Sequence, residues 1–458
     1  MSDSYDVIVL GAGPTGENAA ARAVRGGLTA AIVESGLVGG ECSYWACMPS
    51  KALLRPAAAV SEANAVDGVT GARLDPPAVL KRRDSFASHW KDDGQVKWLG
   101  GAKITLYRGQ GRLAGQGRVT AGATELTARQ AVVIATGSRA VIPPPLRGVN
   151  PWTSREATSA HTVPASLAIV GGGVVGCEMA AAWQALGARV TLIARGGLLE
   201  RLPAFAGDLV ANGLRDAGVD VRLGVSVSDA TRSDDGVTLT LDNGGTVTAA
   251  EVLAATGRAP ATGDIGLETV GLEPGSWLET DDTLLVRTDN GDSPWLYACG
   301  DVNHRALLTH MGKYQGRICG DAIAARSRGE QPPVTDRSSQ TAVPQVIFTL
   351  PEVAAVGLTE PRAREAGITT RAVEYDIGNV AGAALFADGY AGRAQMVVDE
   401  DNRTIVGVTL AGPGVGELIH AATVAVAGRV PLETLWHAVP SYPTVSEVWL
   451  RLLEAYGL

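Results

Sequence analysis

The sequence predicts an α/β fold built around two dinucleotide-binding units, and three observations carry that expectation. A glycine turn of the form G-x-G-x-x-G follows an apolar strand twice, at Gly11–Gly16 and again at Gly171–Gly176. Each copy is followed, further along, by an apolar strand ending in Ala-Thr-Gly, in VVIATGS (132–138) and VLAATGR (252–258). The chain has 458 residues, room for two to four domains with separate cores. The repeat is a whole nucleotide-binding unit and not a short solenoid period.

The first unit reads strand, turn, helix. YDVIVL is a short apolar run leading into Gly11, Gly13, Pro14, Thr15 and Gly16, and Ala19–Val24 can pack a helix on the sheet. Glycines permit the tight turn and close approach of a pyrophosphate, and the helix N-terminus offers amide donors and a positive dipole end. A second strand, Thr29–Val33, ends at Glu34, where an acid would accept the ribose hydroxyls of the dinucleotide.

The second unit repeats the turn with Gly171, Gly173, Val174, Val175 and Gly176, but departs at the acid position. Its second strand, Arg189–Ile193, runs into Ala194 and Arg195, with Arg201 six residues on. A carboxylate there would hold the ribose of NADH and repel a 2′-phosphate, whereas arginine offers that phosphate a charge-assisted fork. The spacing therefore predicts NADPH over NADH.

Five cysteines include one close pair, Cys42 and Cys47, in GGECSYWACMPSKALLRP. A structural zinc site needs four ligands, and no second close cysteine pair or His-x-x-x-His cluster accompanies them. Cys177, Cys299 and Cys319 stand alone and read as small core residues. Five residues of ideal helix advance about 7.5 Å, and a disulfide needs Cα atoms within about 7 Å. A bridge therefore requires a distorted first turn, with which Pro49 agrees. A thiol there feels the helix N-terminus, and Lys51, one turn after Cys47, can add positive charge.

Composition sets the remaining limits. Apolar residues make up 46% and charged residues 19%, and the 57 glycines show no collagen-like period. A net charge of −9 argues against a nucleic-acid binder. No run has the apolar length of a membrane span, and the N-terminus reads as a first strand and not a signal peptide. So few cysteines suit a reducing, cytoplasmic setting.

The ordered set GAGPTG, GGECSYWACMPSK, ATGS, GGGVVGCE, ATGRAP and LYACGDV resembles the pyridine nucleotide–disulfide oxidoreductases, the FAD-containing group that includes lipoamide dehydrogenase, glutathione reductase and mercuric reductase. The resemblance runs from residue 5 to about 450. It implies FAD in the first unit, NAD(P)H in the second, and a C-terminal α+β dimerisation domain beginning near AVPQVIFTLPEVAAVGLTE (342–360). The expected division is 1–148 for FAD, 149–265 for NADPH, 266–335 as a segment completing the FAD domain, and 336–458 as the interface of a homodimer with a shared active site. It further implies that Cys42 and Cys47 form a redox-active disulfide, with Cys47 beside the flavin and Cys42 meeting substrate. Lys51 would lie near the flavin, paired with Glu178. Asp301 would bind the ribityl chain, Thr309 and His310 would lie near the isoalloxazine, and Gly137 and Gly257 close the Ala-Thr-Gly strands beside each dinucleotide. Glu41 stands where the family has a small neutral residue, and nothing in the sequence accounts for it.

One departure is larger. The family's disulfide reductases end in His-Pro-Thr-x-x-Glu, whose histidine is the acid/base for thiol exchange. Here the segment is Tyr442-Pro443-Thr444-Val445-Ser446-Glu447, with Glu447 kept and tyrosine in the histidine's place. His437 lies five residues upstream, in what reads as a helix C-terminus. Unperturbed tyrosine has a pKa of about 10 and is a poor proton acceptor at neutral pH. The expected activity is therefore electron transfer from NADPH through FAD to a small acceptor. A quinone-type acceptor is favoured by the missing histidine and a disulfide by the intact cysteine pair, while lipoamide dehydrogenase activity is disfavoured. A non-enzymatic, FAD-bound redox sensor is the third reading.

Overall fold

The computed structural model describes residues 3–287 and 294–458. The chain divides into two compact units, one of residues 1–48, 84–140 and 258–340, the other of residues 49–83, 141–257 and 341–458.

The first unit is organised by a sheet in the order β3-β2-β1-β6-β5-β4, where β1 is Asp3–Leu10, β2 Ala30–Glu34, β3 Ile104–Arg108, β4 Gly111–Leu113, β5 Arg118–Ala121 and β6 Thr124–Ile134. Strand Leu296–Ala298 adds to it beside β6. β1, β2, β3 and β6 run parallel. Their centres are apolar on both faces because both are covered, one by helices and the other by β4, β5 and residues such as Ile265, Leu267, Leu278 and Val302, and Val7–Leu10 and Val132–Ile134 are fully buried. Helix α1 (Pro14–Arg25) buries Ala19, Ala20 and Ala23. It packs against helix Thr309–Ser327, whose Gly316 lies so close to Thr15 that a Cβ there would stand 2.4 Å from the Thr15 carbonyl oxygen.

The second unit contains a parallel sheet of strands Asp220–Leu223, Arg189–Ala194, Ser166–Val170 and Glu251–Ala254. An antiparallel sheet of Val227–Ser233, Gly236–Leu241 and Thr246–Ala249 follows in sequence. The C-terminal part forms five antiparallel strands, in the order Pro344–Ile347, Glu352–Gly357, Thr404–Gly412, Arg393–Asp399, Thr370–Asp376. Helices Ile419–Gly428 and Val448–Tyr456 bury Ala422, Val426, Leu452 and Leu453 in the core of that part. Among the described residues, no helix is long and apolar enough to cross a membrane.

The cysteine segment is not one distorted helix. Helix α2 (Gly40–Tyr44) carries Cys42, the chain breaks at Trp45–Ala46, and α3 (Cys47–Asn64) starts afresh at Cys47. Pro49 falls in the first turn of α3, where its missing N–H costs nothing.

Candidate functional site

Both glycine turns have the same backbone. Gly11 has φ +102° and Gly171 φ +127°, and a Cβ at either would strike a carbonyl oxygen, of Ala135 at 2.5 Å and of Ala255 at 2.2 Å. At Gly16 and Gly176 a Cβ would meet the carbonyl oxygen of the first glycine of the turn. By contrast, a Cβ at Gly173 would meet nothing within 4 Å, and one at Gly13 only Gly40 Cα at 4.0 Å. The backbone at each helix N-terminus is thus bare, which fits close approach of a pyrophosphate. Pro14 and Thr15 open α1, and Val174 and Val175 open helix Val174–Ala185.

In the first unit the strand-end acid is well held. Glu34 Oε2 accepts from the Ala12 amide at 2.7 Å and Oε1 from the Gly36 amide at 2.7 Å. That fixes the carboxylate beside the turn with lone pairs left for ribose hydroxyls. Asp301 lies against the Ser138 hydroxyl, and Arg258 Nε donates to that hydroxyl at 2.6 Å. Gly137 has φ +74° and its carbonyl accepts from the Ala261 amide. The polar cluster Ser138–Asp301–Arg258 escaped the sequence reading except for Asp301. Together with Glu34 and the bare Gly13 it fits a dinucleotide that presents a pyrophosphate and polyhydroxyl chains, as FAD does.

The same unit holds the thiols. Cys42 on α2 and Cys47 at the start of α3 face each other across the break, their thiols in side-chain contact. The Cys42 thiol is pushed well up, first by its hydrogen bond with Cys47, then by burial, with Lys313 opposing. Cys47 Sγ lies 3.3 Å from the Thr309 hydroxyl, and His310 follows, exposed, in the first turn of helix Thr309–Ser327. Glu41 lies in the first turn of α2, partly exposed. Sequence reasoning missed two charged groups nearby. Glu17, on α1, is only 8% exposed, and its Oε1 has no hydrogen-bond partner. Burial pushes its carboxyl up to about 7, against the opposing charge of Lys313 and with the help of Glu34.

Two of the other three cysteines also need correcting. Cys177 is a fully buried core residue, but Cys299 and Cys319 do not stand alone: both are fully buried and hydrogen-bonded to each other. Burial, then that contact, pushes the Cys319 thiol well above its ordinary range.

In the second unit Lys51 Nζ donates to Glu178 Oε2 at 2.7 Å and stands 5.0 Å above the Phe348 ring. Glu178 is nearly fully buried and its other oxygen accepts from the Phe348 amide at 3.1 Å. Ala194 ends its strand buried, and Arg195 and Arg201 are exposed in the loop that follows. That loop contains a carboxylate not weighed from the sequence: Glu200 Oε1 accepts from the Gly197 amide at 3.0 Å and folds back over Gly196. Gly257 has φ +139° and its carbonyl accepts from the Val141 amide at 3.0 Å.

The C-terminal segment places Tyr442 at the surface, 76% exposed. His437 is the exposed C-cap of helix Leu432–Trp436. Glu447 is buried, with Oε1 held by Arg451 at 2.5 Å and Oε2 without a hydrogen-bond partner. Neither Tyr442 nor His437 is hydrogen-bonded to Glu447, whose bonded oxygen is taken by Arg451 one turn later on the same helix.

Comparison with known proteins agrees with this geometry over nearly the whole chain. Residues 5–317 match the family model described as pyridine nucleotide–disulphide oxidoreductase, and residues 343–452 match that family's dimerisation domain. The chain belongs to that family. Curated relatives include dihydrolipoyl dehydrogenase of Thermus scotoductus, 32% identical over 99% of this chain and 97% of the relative. Dihydrolipoyl dehydrogenase 3 of Pseudomonas putida is 33% identical over 97% and 96%. Among solved structures, the HOCl-induced flavoprotein disulfide reductase RclA from Escherichia coli superposes with a TM-score of 0.83 at 24% identity, covering 98% of this chain and 99% of that one. LpdA from Mycobacterium tuberculosis gives 0.84 at 24%, covering all of both chains. The family's members use FAD and a pyridine nucleotide, and the dimerisation domain suggests a homodimer.

Proposed function

We propose that the chain is a flavoprotein reductase that passes two electrons from a reduced nicotinamide, through the Cys42–Cys47 dithiol, to a small disulfide. The overall reaction balances as one reduced nicotinamide, one proton and one disulfide giving an oxidised nicotinamide and two thiols. The observation that carries the reading is the placement of the pair: Cys42 on α2 and Cys47 at the first residue of α3 meet across a helix break, with Cys47 Sγ 3.3 Å from the Thr309 hydroxyl.

Bound FAD would supply the two-electron carrier between nicotinamide and sulfur, held by the Gly11–Gly16 turn, Glu34, Gly137 and Asp301, with Thr309 and His310 near its redox-active ring. Lys51, paired with Glu178, keeps a fixed positive charge at its end of α3. Cys42 meets the acceptor; Cys47, at the first residue of a helix, is the thiolate that closes the internal disulfide. The Gly171–Gly176 turn with Gly257 takes the nicotinamide dinucleotide. Arg195 and Arg201 favour NADPH, and Glu200 in the same loop keeps that preference modest. A reducing, cytoplasmic compartment suits such chemistry.

A second reading, transfer to a quinone-type acceptor without use of the thiols, is favoured by Tyr442, which replaces the expected histidine and lies exposed. Steady-state oxidation of NADPH with glutathione disulfide, a lipoamide and a benzoquinone separates the two. Disulfide turnover that Cys42→Ser abolishes supports the first reading; quinone turnover alone, unaffected by Cys42→Ser, supports the second. Absence of turnover with every acceptor would leave the redox-sensor reading.

A further inference from the structure

Three consecutive residues, none of them glycine, adopt left-handed backbone in the turn that precedes helix Asp93–Gly101: Ser88 at φ +51°, His89 at +51° and Trp90 at +54°. L-residues take that conformation singly and at a cost, because Cβ crowds the following carbonyl, so a run of three persists only where its surroundings fix it. Ser88 and His89 are exposed, so burial does not hold them there. What the turn achieves is the direction of Trp90. Its indole N–H donates to the Tyr44 carbonyl at 3.1 Å, at the last residue of α2. Two residues further on, Asp92 Oδ2 accepts from the Val38 amide at 2.8 Å, just before α2 begins at Gly40. The run from Val38 to Tyr44, which carries Cys42, is therefore gripped at both ends by one short stretch of chain. Arg108, at the end of β3, tightens the grip by donating to Asp92 Oδ2 at 2.6 Å and to the Gly36 carbonyl at 2.7 Å. The Tyr44 hydroxyl donates to the Val38 carbonyl at 2.9 Å, which ties the two gripped ends to each other. Because the helix breaks at Trp45–Ala46, α3 does not carry α2 as a continuous rod, and the place of Cys42 depends on the bonds made around α2 itself.

We propose that Trp90 and Asp92 are positioning residues that hold Cys42 against Cys47, and that the left-handed turn exists to aim Trp90 at the end of α2. The assignment rests on the reading of Cys42 and Cys47 as a redox pair. Both residues act through α2 and not on sulfur. Two thiols held face to face close to a disulfide more readily than two that drift, because their orientation is fixed in advance. Loosening either end of the Val38–Tyr44 run therefore disfavours the disulfide relative to the dithiol.

The test is the equilibrium of the pair in the FAD-loaded enzyme, poised with mixtures of reduced and oxidised dithiothreitol, trapped by acid and alkylation, and read by mass spectrometry. In that exchange Cys42 and Cys47 give up two electrons and two protons and gain one S–S bond, while oxidised dithiothreitol loses its S–S bond and becomes a dithiol. Trp90→Phe, which keeps a ring and removes the donor, should shift the equilibrium toward the protein dithiol by about three- to ten-fold, about 15–30 mV for a two-electron couple. Asp92→Ala should act in the same direction, and Asp92→Asn, which keeps an acceptor for the Val38 amide, should recover most of the shift. Trp98→Phe, at an exposed position on the helix that follows, should leave the equilibrium unchanged. A lowered melting temperature with an unmoved equilibrium would reduce Trp90 and Asp92 to structural residues and overturn the proposal. So would an Asp92→Asn shift equal to that of Asp92→Ala, or a Trp98→Phe shift equal to that of Trp90→Phe. If the unmutated pair does not exchange with dithiothreitol, the redox-pair reading fails; if it exchanges and neither Trp90→Phe nor Asp92→Ala moves it, only the positioning role fails.

Discussion

The two glycine turns present nearly one backbone with two different sets of side chains. In both, the first glycine adopts positive φ against a carbonyl oxygen and the third packs under the first. The residue after the third glycine is Glu17 in one copy and Cys177 in the other. Glu17 is buried, and burial pushes its carboxyl up to about 7; Cys177 is sealed in the core, donates to the Gly172 carbonyl at 3.5 Å, and is pushed up to about 12 by burial. At the strand ends Glu34 is anchored by two amides, while Ala194 hands over to Arg195, with Glu200 folded back over the loop. The backbone sets where a dinucleotide can lie, and a few side chains at equivalent positions set which dinucleotide and what chemistry.

The sharpest way to break that comparison is at sulfur. Cys47→Ser should lower disulfide turnover by at least about a thousand-fold, since the exchange then has no second sulfur to close it. Cys177→Ser should leave turnover unchanged in the same assay; a loss there equal to that of Cys47→Ser would erase the distinction drawn between the two units. Next comes the strand end of the second unit. Arg195→Glu should reverse the NADPH preference, a change of roughly five-fold to a hundred-fold for about 1–3 kcal/mol of phosphate contact, read as the ratio of kcat/KM with the two nucleotides. Equal efficiencies in the unmutated protein would remove the basis for that assignment.

Glu34→Gln tests the matching position in the first unit. It keeps the shape but loses charge-assisted hydrogen bonds, so FAD should dissociate roughly ten-fold more readily, measured by recovery of flavin fluorescence on dilution. FAD retention unchanged from the native protein would show that Glu34 does not touch the cofactor. The smallest effect is expected at Glu200: Glu200→Ala removes an exposed negative charge from the loop that carries Arg195 and should raise the NADPH preference about two- to five-fold. A shift toward NADH instead would mean that Glu200 and not Arg195 dominates that loop.

Much of this was readable from the sequence, for a physical reason. Strand, glycine turn and helix are local, and the strand-end acid follows at a spacing fixed by strand and helix length, so Gly11–Gly16 and Glu34 could be read directly. What escaped was made by tertiary approach. Glu17 looks like an ordinary acid in the first turn of a helix, where the dipole favours it; only the tertiary fold buries it. Ser138, Arg258 and Asp301 lie far apart in sequence and meet in one cluster. Cys299 ends a strand and Cys319 sits within a helix, so no spacing rule announces their contact. Glu200 was hidden because the Gly196–Gly197 turn reverses the chain and returns the acid to the strand end. The break at Trp45–Ala46 is equally silent in sequence, although disulfide geometry demanded an irregularity there.

The central claim is that Cys42 and Cys47 store and deliver two electrons. It is tested most directly by labelling native, aerobically purified protein with a thiol alkylator before and after one equivalent of NADPH, then locating the labels by mass spectrometry. The account predicts no label on Cys42 or Cys47 before NADPH and labels on both afterwards, with Cys177, Cys299 and Cys319 unlabelled throughout because they are fully buried. Labels on both Cys42 and Cys47 before NADPH, unchanged by its addition, would contradict it.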